Sequence, residues 1–137
     1  MTLMAWEKLQ TSPVHDHVGS SCWVKVLDGE LRESKYAVAA QPGEGFAVSL
    51  QSERTVGAEG VAFYEGTAES GARGLGNPSS DQVGVSLHIY SPPHSVCNFY
   101  DPHTGAKTVS TLLSANFAGR GCVRHSAFAL CFHCLRG

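Results

Sequence analysis

Residues 83–90, "VGVSLHIY", alternate without a break. Val85, Leu87 and Ile89 fall on one side of an extended chain and Ser86, His88 and Tyr90 on the other. Strand-like stretches of this kind, cut by turn signals, recur along the sequence. "CWVKVLDGELRES" reads as a hairpin, with Asp28-Gly29 suited to a two-residue turn. "YAVAA" and "FAVSLQ" flank the Pro/Gly loop "QPGEG", and "GVAFYEG" holds a further short strand. The glycine-dense "GTAESGARGLGNPSS" reads as a loop, and "NFYDPHTGAKTVST" as a last hairpin turning at Asp101 to Gly105. No convincing amphipathic helix interrupts the series. The expected fold class is all-β, a sandwich or a barrel.

A chain of 137 residues fits one domain, near the lower edge for an independent barrel. Hydrophobic residues at 42% and charged residues at 16% give an ordinary globular composition. A net charge of -2 offers no electrostatic footprint for nucleic acid or an anionic membrane. No apolar run reaches bilayer length, and "MTLMAWEKLQ" lacks a signal-peptide apolar stretch. A soluble, cytoplasmic protein is expected. The five cysteines, an odd number with no secretion signal, favour reduced thiols over a disulfide framework.

Chemistry concentrates in two places. In "PVHDHVGSSC", an extended backbone would put His15 and His17 on one face and Asp16 on the other. Two neutral imidazoles could meet one metal ion, although iron, copper, zinc and nickel all accept that donor, and polar loop histidines would read the same way. The second place is the Ser86, His88, Tyr90 row. Hydroxyl, imidazole and phenol along one face suit a hydrogen-bonded relay better than a water-facing edge, where Lys, Glu or Thr is commoner. A third motif, "CFHC" with Cys131 and Cys134, is half a zinc site or a redox pair without its other half.

"SPVHDHVGSSCWVKVLDGELRES" and "GNPSSDQVGVSLHIYSPPHSVCNFYDPHTGAK" together resemble the cysteine dioxygenase family of thiol dioxygenases, from about Leu3 to about Val109. The second segment is the more diagnostic, through S-L-H-x-Y-S-P-P followed by a cysteine and an aromatic-Asp turn. The resemblance implies a cupin-type β-barrel, an antiparallel double-stranded β-helix or jelly roll. It implies Fe(II) as cofactor, with His15 and His17 as two of its ligands. It also implies a thioether cross-link between Cys22 and Tyr90, with Ser86 and His88 orienting the Tyr90 hydroxyl and Cys97 near the entrance. The implied partners are L-cysteine and O2, and the implied product is cysteine sulfinate.

Two departures qualify that picture. Aligned on "GNPSS", the family's third histidine ligand falls on Arg73, which stays protonated and has no lone pair for a metal. The family's arginine and tyrosine for the substrate carboxylate have no counterpart among the residues before His15. The barrel is therefore expected to be incomplete at the N-terminus, with an exposed edge that favours self-association. Residues 1–117 are expected to form the cupin domain and residues 118–137 a poorly specified cysteine-rich tail. Alternatives to a working enzyme are an inactive cupin that binds or oligomerises, and a dioxygenase for another small thiol such as mercaptopropionate.

Overall fold

The computed structural model describes residues 1–111 apart from Val18 and Glu44. Ten strands follow one another: β1 Thr2–Trp6, β2 Val14–Asp16, β3 Ser21–Asp28, β4 Glu30–Ala40, β5 Phe46–Gly57, β6 Val61–Tyr64, β7 Ala72–Gly76, β8 Gly84–Ser91, β9 Val96–Tyr100 and β10 Lys107–Thr111. A single 3-10 turn, Ala68–Ser70, precedes β7. The strands form a four-stranded sheet, β1-β8-β3-β6, and a six-stranded sheet, β10-β9-β2-β7-β4-β5, antiparallel throughout. This is the all-β sandwich that the alternation calls for, of the cupin type that the family resemblance implies. Among the described residues no helix is long and apolar enough to cross a membrane.

Alternation fills the space between the sheets. Trp6, Cys22, Val24, Val26, Leu31, Val56, Ala62, Tyr64 and Leu75 form the main core. Each buried Val or Leu there contributes about 1.5–3 kcal/mol of burial free energy. A second cluster joins Val14, Ala72 and Tyr100 with Tyr36, Val38, Phe46 and Val48. Val14 and Ala72 alternate with His15 and Arg73, so this cluster lies on the opposite face of β2 and β7. The two faces of β2 and β7 thus serve different ends.

Three expectations need correction. β3 and β4 do not pair: β3 lies between β8 and β6, while β4 joins β5 and β7 in the other sheet. Asp28-Gly29 is a corner rather than a hairpin turn. Gly29 has φ +67°, and a Cβ there would lie 2.7 Å from the Val83 carbonyl oxygen, so the chain changes sheets hard against the start of β8. The glycine-dense stretch is not all loop either. Its residues Ala72–Gly76 form β7, held between β2 and β4, where ladder pairing overrides a weak local propensity. The N-terminal segment, not read as a strand, supplies β1 by pairing with β8.

The orientation of β8 places the site. Ser86 and His88 are buried, whereas Ile89 is exposed, so the polar row faces the interior and the aliphatic row faces out. Leu3, Trp23, Val61 and Phe63 are exposed on that outer face as well, with Trp23 and Phe63 in ring contact. The expected domain end at residue 117 and the tail with Cys122, Cys131 and Cys134 lie outside the described residues.

Candidate functional site

The four-stranded sheet contributes a chain of hydrogen bonds with a fixed direction. The indole N–H of Trp6 donates to Ser86 Oγ at 2.9 Å. An indole can only donate, so the Ser86 hydroxyl proton is left for its other neighbour, His88 Nε2, 2.8 Å away. Burial, and then the charge of Arg73, lower the His88 pKa to about 3, which keeps this ring neutral. Its proton therefore sits on Nδ1 and faces the Tyr90 hydroxyl at 3.5 Å, a long contact. The phenol proton is left for the next group. Pairing of β3 with β8 sets Cys22 directly opposite Tyr90. Burial raises the pKa of both, so thiol and phenol stay protonated near neutrality.

The six-stranded sheet contributes imidazoles and a guanidinium. His15 pairs with Arg73 across β2 and β7, and His17 follows directly after β2. His15 Nδ1 lies 2.9 Å from the Pro13 carbonyl oxygen, and His17 Nδ1 lies 2.8 Å from that of Ser20. A carbonyl only accepts, so each Nδ1 carries the proton and each Nε2 keeps a lone pair. Burial lowers the pKa of His15 to about 3 and of His17 to about 4, with Arg73 pushing both the same way. The rings stand 5.8 Å apart, centroid to centroid. Asp16 turns to the other face, where Asn98 and Tyr100 donate to its carboxylate.

Arg73 is fully buried. Its Nη2 lies 3.4 Å from His17 Nε2, on the lone pair that a metal would use. Its Nη1 lies 3.7 Å from Glu33 Oε1, and its charge sits over the Tyr64 ring at 5.1 Å. Glu33 is itself buried, and Arg54 Nε donates to its other oxygen at 2.8 Å. The His94 ring, from the segment between β8 and β9, lies tilted against His17 and Tyr90 with centroids 4.9 and 4.6 Å away. Cys97 Sγ contacts His94 Nε2 at 3.4 Å.

A family model for cysteine dioxygenase type I matches residues 1–103. The chain belongs to the cysteine dioxygenase family. The human cysteine dioxygenase type 1 is 30% identical over 112 residues, covering 82% of this chain and 54% of its own length. The bovine protein is 31% identical over 107 residues, covering 78% and 52%. The zebrafish protein is 27% identical over 105 residues, covering 77% and 51%. The chain spans about half the length of the curated relatives it matches.

The residues present do not fit the Fe(II) that a cysteine dioxygenase family site implies. Two neutral imidazoles offer lone pairs, but a guanidinium donates to one of them and would face the doubly charged ion at close range. Among the described residues, no group of three or more His, Cys, Asp and Glu is gathered as a metal ion needs. Ser86, His88, Tyr90 and Cys22 share one wall of this site, and His15, His17 and Arg73 the other. Trp6 and Glu33 escaped the sequence reading. Glu33 left one signal, a charged residue in step with the inward Leu31. Trp6 left none, because its partner Ser86 comes from a separate strand.

Proposed function

We propose that this chain keeps the small-thiol site of the cysteine dioxygenase family without its iron centre, and binds an L-cysteine-like thiol rather than oxidising it unaided. One observation carries the reading: the buried Arg73 guanidinium stands opposite His15 and 3.4 Å from His17 Nε2. The thiol wall, with Cys22, Tyr90, His88 and Ser86, supplies groups that recognise a small polar thiol. The reading includes a cytoplasmic setting with Cys22 and Cys97 as free thiols, and no thioether between Cys22 and Tyr90. It also includes self-association through the apolar outer face around Trp23 and Phe63.

The test compares the native chain with Arg73→His, which restores a third imidazole. Iron content, O2 uptake on L-cysteine and sulfinate formation are measured together, with intact mass to detect loss of two hydrogens at a thioether. The native chain is expected to hold iron far below one ion per chain and to make no sulfinate; Arg73→His is expected to bind iron and gain turnover. A native chain with one iron per molecule and brisk sulfinate formation would sink the proposal. It would establish the second reading, an iron-dependent cysteine dioxygenase holding its metal through His15 and His17. The ordered Trp6-to-Tyr90 relay favours that second reading, since nothing in the fold of a pure binder calls for it.

A further inference from the structure

Unmet hydrogen-bonding capacity in this molecule gathers at one spot. Among the described residues, the buried side-chain atoms without a hydrogen-bond partner are Arg73 Nε, Arg73 Nη1, Glu33 Oε1 and His94 Nδ1. Buried donors on a charged group are costly to leave unmade, so their concentration marks a place where a ligand would be held.

The charge balance says which kind of ligand. Glu33 is the carboxylate paired with Arg73, yet its separation of 3.7 Å exceeds hydrogen-bond distance and its other oxygen is held by Arg54 at 2.8 Å. Two guanidinium groups thus share one carboxylate. Asp16, the other buried carboxylate among the described residues, lies on the far face of β2 and is engaged by Asn98 and Tyr100. Arg54 is half exposed to solvent, so Glu33 is the buried counter-charge of Arg73, and it is turned toward Arg54 at a distance that leaves the Arg73 donors open. A small carboxylate would fill those open donors.

We propose that Arg73 is an anion anchor: the centre of the sandwich takes the carboxylate of a small organic acid directly on the guanidinium, with no metal between them. A planar carboxylate matches the guanidinium edge and can accept two of its N–H groups at once. His15, Tyr90 and His94, in the surroundings of Arg73, are each only partly buried. The rest of the ligand meets the Cys22 thiol and the Tyr90 phenol. The site therefore selects carboxylate-bearing thiols such as L-cysteine and 3-mercaptopropionate over cysteamine, which lacks the carboxylate. This deepens, and rests on, the reading of the site as a small-thiol pocket without iron.

The experiment is calorimetric titration of the full chain in excess EDTA with propionate, 3-mercaptopropionate, L-cysteine, cysteamine and inorganic phosphate. The three carboxylates are expected to bind, and cysteamine and phosphate to bind about tenfold more weakly or not at all. Arg73→Gln is expected to abolish carboxylate binding. Two further variants keep the test decisive should that one fail to fold. Glu33→Gln removes the competing buried carboxylate and is expected to tighten carboxylate binding; Arg54→Gln frees Glu33 for Arg73 and is expected to weaken it severalfold. Absence of carboxylate binding, equal binding of cysteamine or phosphate, or indifference to both the Glu33 and Arg54 variants would overturn the proposal. Iron content is read separately, so such a failure leaves the iron-free assignment standing or falling on its own measurement.

Discussion

The two walls of the site both carry buried polar side chains and end in opposite electrostatic conditions. On the four-stranded sheet, Trp6, Ser86, His88 and Tyr90 form a single file of hydrogen-bonding contacts that ends opposite Cys22. On the six-stranded sheet, Arg73 and Glu33 are equally buried but leave three side-chain atoms unbonded between them. A satisfied polar row rigidifies a core, while a buried cation with open donors stays poised for a partner. The contrast separates groups that hold geometry from groups that await a ligand.

The largest effect that tests this contrast is pH. His15, His17 and His88 have folded-state pKa values below their ordinary 6.5, so the unfolded chain takes up protons first as pH falls. Stability is fully present above pH 6.5 and is lost as pH falls from there toward pH 3 to 4. Each histidine costs on the order of 1.4 kcal/mol per pH unit in that window. Unfolding free energies from urea titrations at about pH 7 and about pH 5 should therefore differ by several kcal/mol, and a flat profile would show that these rings are solvated.

Next comes the charge wall. Arg73→Met leaves Glu33 buried with only the half-exposed Arg54, and should cost about 3–5 kcal/mol in chemical denaturation. Adding Glu33→Leu should recover most of that loss. If the single and double variants are equally unstable, the Arg73–Glu33 pair is not the electrostatic unit described here.

On the ordered wall, Trp6→Phe removes the donor that sets the relay's direction. A loss of about 1–3 kcal/mol is expected, because the Ser86 hydroxyl is left short of one partner. The smallest effect is Tyr90→Phe, about 0.5–1.5 kcal/mol or less, since its contact to His88 is long and the residue is partly exposed. A reversed order for these two would mean that the relay is anchored at Tyr90 rather than at Trp6.

Much of this was legible in residue order. Period-two alternation identified β8 and its polar row, and the spacing of His15 and His17 placed both imidazoles on one side. Arg73 stood out as a residue without a lone pair where the family resemblance asks for a donor. The corner at Gly29 was not legible, because Asp-Gly between two strands is the local signature of a hairpin, and only the competing partners β8 and β6 draw β3 into the other sheet. Nor was β7, whose glycines argue against a strand until its two neighbours are in place.

The sequence by itself determined most of the strands, though not β1 or β7, the faces on which chemical groups lie, and the presence of a permanent cation. Those depend on side-chain chemistry and a two-residue period, which are local. Tertiary structure decided which face of β8 turns inward, that Trp6 reaches Ser86 across 80 positions, and that Arg54 divides the charge of Glu33. Such outcomes depend on distances between strands far apart in the chain. Burial then converts those distances into pKa shifts, tautomers and a cation with open donors.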